Sequence, residues 1–352
     1  MKPGVVFGED YAKLVQNCKD NGFALPAVNI VGTNSINAVM EAAAKNKSDV
    51  IIQLSNGGAQ FYAGKGMEDG FKAKVLGAVA AAQHVHLLAE HYGICVVLHT
   101  DHANRPLVPW VDAMIEEGRK YKELTGKPLF TSHMLDLSEE DIDDNLATSA
   151  EFLKKMAPLG MSLEIELGCT GGEEDGVGGE VDSFDNPSLY TQPEDVLKAY
   201  DLLNPLGHFT VAASFGNVHG VYKPGNVKLR PEILKASQEM LTAERGTNAN
   251  ELNFVFHGGS GSEKAKITEA VSYGVFKMNI DTDTQFTFSK PVGEFVLANQ
   301  EAFKWQVHPE TGEPFKKKYD PRAWLRKGEE GLITRLTEAF EDLGSKGKSI
   351  AE

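Results

Sequence analysis

The chain has 352 residues, 41% of them hydrophobic, with 35 Lys and Arg against 50 Asp and Glu and a formal net charge of −15 at pH 7. That apolar fraction supports a sizeable core and excludes a disordered chain, and the acidic balance argues against nucleic acid or an anionic membrane as the main partner. It leaves room for a phosphorylated small molecule, because a few local donors, a helix N-terminus or a metal ion can hold phosphate on an acidic protein.

In chain order, Asp10–Lys19 reads as a helix ahead of the first strand. Eight short apolar runs then read as strands: Phe23–Asn29, Val50–Ser55, Ile94–Asp101, Leu129–Asp136, Met161–Gly168, Phe209–Gly216, Asn253–Gly258 and Val275–Asp281. Helical periodicity between them covers Ser35–Lys47, Lys74–Tyr92, Leu107–Leu124, Asn145–Met156, Glu194–Leu203, Pro231–Met240 and Glu263–Ser272, and Gly328–Leu343 reads as a terminal helix. Strands alternating with helices of this size indicate βαβ units and a parallel sheet. Eight repeats over about 260 residues fit a closed barrel better than an open doubly wound sheet. The expected fold is therefore α/β, a single (β/α)8 TIM-barrel domain over residues 1–352, with an extra N-terminal helix and a C-terminal helical extension. The opening Met1-Lys2-Pro3-Gly4-Val5-Val6 lacks an apolar signal core, and Cys18, Cys95 and Cys169 lack zinc-finger or redox-motif spacing. A reduced, cytoplasmic setting is expected.

Residue parity supports closure. Glu164 and Glu166 alternate with apolar neighbours in the fifth run and share one face; Lys277, Asn279 and Asp281 do the same in the eighth. A polar barrel interior near its top follows. Glu164 and Lys277 are expected to form an inward salt bridge, since unpaired buried charge is costly.

Polar residues concentrate where the strands end: His99-Thr100-Asp101-His102, Glu166-Leu167-Gly168, Gly216-Asn217-Val218-His219-Gly220, His257-Gly258-Gly259-Ser260-Gly261 and Asn279-Ile280-Asp281-Thr282. In a barrel these points converge on the C-terminal face, where active sites of this fold lie. Taken singly, each histidine reads as a hydrogen-bonded structural residue. Arriving from three strand ends, three of them could make an open zinc site, because imidazole suits zinc and catalysis needs a vacant fourth position. His84, His86 and His91 lie on a helix away from the strand ends, and His99 sits a strand step behind; positions 99 and 102 of an extended strand point to opposite faces.

His257-Gly-Gly-Ser-Gly-Ser262 follows a strand, opens a helix on this reading, and offers backbone N–H groups to an anion. Gly58 to Gly66 fails as a nucleotide P-loop, since Lys65 is followed by glycine. Gly171-Gly172-Glu173-Glu174-Asp175-Gly176 reads either as a solvated acidic turn or as a movable segment carrying a general base. Lys316-Lys317-Lys318 reads as a solvated basic patch, and Arg322 could grip a phosphate bidentately.

Together with Ala24-Leu25-Pro26-Ala27-Val28-Asn29, Ser55-Asn56-Gly57-Gly58, Ser132-His133-Met134-Leu135-Asp136 and Asp320-Pro321-Arg322, these motifs resemble the class II, zinc-dependent fructose-1,6-bisphosphate aldolases over almost the whole chain. The resemblance implies that His102, His219 and His257 hold a catalytic Zn2+, and that Asp136 and Glu166 mark a second divalent-metal position. It gives Asp101 the proton at the aldehyde-derived oxygen and Glu174, with Glu173 beside it, the mobile acid/base role. Gly220, Lys223, Gly258, Gly259, Ser260, Asn279, Ile280, Asp281 and Thr282 match the dihydroxyacetone-phosphate site, near which a monovalent cation (Na+ or K+) is expected. Ser55 and Arg322 match the distal phosphate site, Arg322 coming from the other subunit of a homodimer. The chain departs from the family pattern at Ala103-Asn104-Arg105-Pro106, at Trp305–Lys318 and at Val177–Ser188.

The chemistry fits these roles. On this resemblance a bound zinc would supply Lewis-acid stabilisation of the negative oxygen that develops when a proton leaves the carbon beside a ketone, Glu174 would move that proton, and Asn279 would orient the enediolate. Two bound phosphates fix the carbon skeleton. The implied activity is reversible cleavage of fructose 1,6-bisphosphate in glycolysis and gluconeogenesis. Tagatose-1,6- or sedoheptulose-1,7-bisphosphate aldolase is the nearest alternative. Others are a zinc barrel hydrolase, a Schiff-base aldolase using Lys277 and a non-catalytic scaffold.

Overall fold

The computed structural model of the chain describes residues 1–168, 190–218 and 228–352 in full, and the backbone alone of 171–174, 177–179 and 219. Eight parallel strands form a closed ring: β1 (Leu25–Asn29), β2 (Val50–Leu54), β3 (Cys95–Thr100), β4 (Ser132–Leu135), β5 (Ser162–Leu167), β6 (Phe209–Ala213), β7 (Phe254–Phe256) and β8 (Val275–Ile280). Each pairs with its successor, and the registers His99↔Ser132 between β3 and β4 and Lys277↔Leu25 between β8 and β1 complete the circle. Helices lie between the strands, so this is a TIM barrel.

Alternation along the strands divides two apolar layers. Val28, Ile52, Leu98, Ile165 and Val211 face outward into the helical shell. Leu25, Ile51, Cys95, Val97, Val255 and Phe276 pack with Tyr11, Leu14, Val15 and Cys18 of the helix Gly8–Asp20, which therefore plugs the N-terminal end. Burying a Leu, Val or Phe fully stabilises by about 1.5–3 kcal/mol each, so this plug is a major contact, not an appendage. The two chain ends seal the same pole. Asp49 accepts from Cys95 N (2.9 Å), Ser349 Oγ (2.7 Å) and Ile350 N (2.9 Å), while the Met1 ammonium donates to Ile350 O (2.7 Å).

Several elements escape the periodicity argument. The strand pair Gly4–Val5 adds itself in parallel to the start of β3. Helix Asn56–Ala63 contains two glycines near its start, yet Ser55 caps it by accepting from Gly58 N (3.1 Å). It crosses the helix Gly70–Tyr92 at Gly77, where a Cβ would lie 1.8 Å from Ala59 O. Helix Thr282–Ala298 carries Pro291 and leaves Phe286 and Leu297 exposed, so neither composition nor amphipathic pattern announces it. The terminal helix starts at Pro321 behind an Asp320 cap and runs to Asp342. The divergent stretch before it folds as a small hairpin bridged at Val307 and Pro314, and Lys316–Lys318 stand exposed as expected. Among the described residues no helix is long and apolar enough to cross a membrane.

After β5 the chain does not simply loop. Gly171–Glu174 pairs antiparallel with Val177–Gly179 and parallel with Val218–His219, forming a second, three-stranded sheet. Glycines and paired acids have poor intrinsic strand preference, which is why the segment reads as a loop by composition. Its strand character comes from pairing both with the neighbouring Val177–Gly179 and with the remote Val218–His219.

Candidate functional site

Inward positions turn from apolar to polar as the strands approach their C-terminal ends. Asn29 on β1, Gln53 on β2, His99 on β3, Ser132 on β4, Glu164 and Glu166 on β5, and Lys277 and Asn279 on β8 make this layer; all but the half-buried Asn29 are buried. The parity argument thus places the β5 and β8 charges correctly. The expected ion pair is present: Lys277 Nζ lies 2.7 Å from Glu164 Oε2. An ammonium engaged this way has no free lone pair with which to attack a carbonyl, and the Schiff-base alternative loses its nucleophile.

Asp101 follows β3 and is completely buried. Its backbone N–H donates to Leu54 O at 2.8 Å, and its carboxylate accepts from Gln53 Nε2 (2.8 Å), Asn29 Nδ2 (3.2 Å) and Asn279 Nδ2 (3.3 Å). Three side-chain amides from three strands therefore fix both carboxylate oxygens. Sequence reasoning assigns no role to Asn29 or Gln53. The available signal is a polar residue at an inward position near the end of an otherwise Val-, Ile- and Leu-rich strand.

His102 comes next and adopts a left-handed backbone, φ 44°. That conformation is rare for a side chain larger than glycine's and concentrates at functional positions. Parity places His99 and His102 on opposite faces, but the strand ends at Thr100 and the left-handed turn swings His102 inward. Its ring centroid is 4.7 Å from that of His257 at an interplanar angle of 69°, and its Nδ1 is 3.5 Å from Asp136 Oδ2. Asp136 also accepts from Ser138 Oγ at 2.7 Å. Burial raises the Asp136 pKa, but His102 and Ser138 outweigh it and bring the carboxyl down to about 2.

His257 follows β7 and is wholly buried, which pushes its imidazole below the usual value, against the raising contact with Glu164. Its Nε2 lies 2.8 Å from Glu164 Oε1 and its Nδ1 3.8 Å from Glu166 Oε2. His99 stays behind this group: its Nδ1 is 2.8 Å from Ser132 Oγ, and burial, with the Lys277 ammonium nearby, lowers its pKa well below the usual range. His84 pairs with Asn37 Oδ1 and His86 with Leu129 O, each at 2.9 Å on the outer helix.

Two overlapping sets of possible ligand atoms result, each within 4.8 Å of one another: Asp101, His102 and His257, and His102, Asp136 and Glu166. A third set, His99, Asp101 and Glu164, meets the same distance, but Glu164 is already engaged by Lys277 and His257. Buried imidazoles beside carboxylates are a donor set for a divalent ion such as zinc, and the residues present fit one. The backbone at His219 pairs with Gly172. The side chains of His219, Glu173 and Glu174, together with Gly220 and Lys223, lie outside the described residues.

The expected anion loops differ in detail. Residues 257–263 do not run straight into a helix: Ser262 N donates to Gly259 O (3.3 Å), and the helix begins only at Lys264. Gly258 takes φ 61°, and Gly259 is clamped to β8, its N–H donating to Asn279 O at 3.2 Å; a Cβ there would lie 2.5 Å from Met278 Cγ. The helix N-terminus that adjoins the polar layer directly is Thr282, immediately after β8 and Asp281. Asp281, Thr284 and Gln285 line a cavity of about 480 Å³ with Asn29, Ser35 and Phe61. Ser55 is spent as an acceptor in its cap and retains a hydroxyl proton to donate. Arg322 is exposed, and its guanidinium grips Asp320 at 2.7 Å.

The family model for class II fructose-bisphosphate aldolase matches residues 9–348. The chain is 56% identical over 353 residues to a fructose-bisphosphate aldolase of Campylobacter jejuni, covering 99% of this chain and 98% of that one. It is 54% identical over 350 residues to the class 2 fructose-bisphosphate aldolase of Escherichia coli K12, covering 98% and 97%. The crystal structure of a fructose-bisphosphate aldolase from Campylobacter jejuni superposes with a TM-score of 0.90 at 55% identity, covering 99% of this chain and 98% of that one.

Proposed function

Because the chain belongs to the class II fructose-bisphosphate aldolase family, we propose that it reversibly cleaves fructose 1,6-bisphosphate to dihydroxyacetone phosphate and glyceraldehyde 3-phosphate, in glycolysis and gluconeogenesis. The observation that carries the reading is the convergence of Asp101, His102 and His257 at the ends of β3 and β7, with Asp136 and Glu166 behind them.

In this reading His102, His257 and His219 hold the metal, zinc by its donor set, and Asp136 and Glu166 offer a second metal position. The bound ion supplies Lewis-acid stabilisation of the negative charge that develops on the ketone oxygen. Asp101 takes the hydroxyl proton from the oxygen that becomes the aldehyde and returns it during condensation. Its three amide donors hold that carboxylate in one orientation, so no reorganisation is needed as the proton moves. Asn279, bonded to Asp101, orients the three-carbon fragment, and Glu174 moves the carbon-bound proton.

Gly220, Lys223, Gly258, Gly259, Ser260, Ile280, Asp281 and Thr282 surround the phosphate of that fragment, with Na+ or K+ beside it. Ser55 and a partner copy's Arg322 hold the distal phosphate. The exposure of Phe286 (63%), Leu297 (67%) and Arg322 supports a homodimer. Sedimentation at twice the 38.3 kDa chain mass is expected, and a monomer with full activity contradicts the shared-arginine reading.

Substrate choice is tested by cleavage rates on purified fructose, tagatose and sedoheptulose bisphosphates. The largest kcat/KM is expected for fructose 1,6-bisphosphate. A larger value for either of the others reassigns the physiological substrate while leaving the site intact.

A further inference from the structure

Three buried side chains stand in a row beneath the metal position. Lys277 Nζ lies 2.7 Å from one Glu164 oxygen, and the other Glu164 oxygen lies 2.8 Å from His257 Nε2; the side chains are 2%, 3% and 0% exposed. We infer that Glu164 and Lys277 are positioning residues for metal binding: Lys277 anchors Glu164, and Glu164 fixes His257 as the tautomer that turns its Nδ1 lone pair toward the metal. The inference rests on the metal reading of the site and adds the residues that prepare it.

The argument is one of donors and acceptors. A carboxylate held by an ammonium has only lone pairs to offer, so the contact at Nε2 requires the proton to be there. A neutral imidazole carries one proton, and its remaining lone pair is then on Nδ1. The opposite tautomer would set the Nε2 lone pair against a carboxylate lone pair at 2.8 Å. Nδ1 lies 3.8 Å from Oε2 of Glu166, a member with His102 and Asp136 of one of the candidate donor sets, so the free lone pair is on the Glu166 side. An outer carboxylate that fixes the tautomer of a metal-binding histidine is a recurrent device.

A purely structural ion pair is the competing explanation. Burying two charges costs several kcal/mol each, and apolar residues of similar volume often stabilise as well or better. Stability alone therefore gives weak grounds for this pair. Its contact with His257 supplies another.

The test compares zinc-loaded, full-length wild type with Glu164→Leu/Lys277→Met and Glu164→Gln/Lys277→Met. Both double variants remove the two charges together, so neither leaves an unpaired buried charge, and far-UV circular dichroism checks the fold. Zinc retention is read against graded chelator. Affinity in the Leu/Met variant is expected to fall by about 10–100-fold. The Gln/Met variant should recover most of that loss, because an amide oxygen still accepts from Nε2–H. Nitrogen-15 spectra of histidine-labelled wild type are expected to show His257 protonated at Nε2.

A Leu/Met variant that holds zinc as tightly as wild type overturns the inference, as does a Gln/Met variant no better than Leu/Met, or a proton on His257 Nδ1. Wild type that takes up no divalent metal overturns the metal reading and this inference with it. Wild type that retains zinc beside equally tight variants removes this inference alone.

Discussion

Replacing His257 with alanine is expected to abolish metal retention and to lower fructose 1,6-bisphosphate cleavage by about a thousandfold or more. A metal acting as Lewis acid supplies several kcal/mol of transition-state stabilisation, and each 1.36 kcal/mol is about tenfold in rate. His257 is placed to matter for more than one reason. It is fully buried, its ring lies 4.7 Å from that of His102, and its Nε2 lies 2.8 Å from Glu164 Oε1. Alanine would also strip Glu164 of one partner, so a lower melting temperature should accompany the loss. Metal content measured on the folded variant separates the two effects. A folded His257→Ala protein that keeps its metal and its rate would remove His257 from the ligand set.

Asp101→Ala is expected to separate two halves of the reaction. Cleavage should fall by about 10²–10⁴-fold, the usual range for losing a positioned acid or base, with bound metal unchanged. Exchange of the carbon-bound proton of dihydroxyacetone phosphate with solvent should persist, because that proton belongs to Glu174 in this account. Loss of both activities, with metal retained, would mean that Asp101 acts earlier than assigned. The alanine also leaves the amides of Asn29, Gln53 and Asn279 without their shared acceptor. Asp101→Asn keeps the shape but turns an amide donor toward other donors, so it should not rescue.

Much of the barrel was legible because its signals are local. The apolar runs are short, they alternate with helical periodicity, and Glu164, Glu166, Lys277 and Asn279 share inward faces by parity alone. What stayed hidden depends on contacts that composition and periodicity do not carry, many of them remote in sequence. Asn56–Ala63 becomes helical because Ser55 caps it and Gly77 lets another helix approach. Gly171–Glu174 becomes a strand because residues 177–179 and, from far along the chain, 218 and 219 pair with it. Helix Thr282–Ala298 hides behind Pro291 and an apolar exposed face, the kind of face a partner copy would cover.

The site divides in the same way. Polar residues at strand ends are visible in the chain, and so is their convergence once a barrel is assumed. The turn that brings His102 into the cluster is not, since parity counts only while the strand lasts and this strand stops at Thr100. Nor were the amides around Asp101, because Asn29 and Gln53 look like isolated polar interruptions until β1 and β2 are laid beside β3 and its extension.

The central claim is a metal-dependent cleavage without a Schiff base. It is tested most directly by measuring fructose 1,6-bisphosphate cleavage before chelation, after chelation and after zinc is restored, with borohydride plus dihydroxyacetone phosphate as a parallel challenge. The account predicts activity abolished by the chelator, recovered with zinc and indifferent to borohydride. Activity that survives chelation and is trapped by borohydride would contradict it and move the chemistry to a lysine.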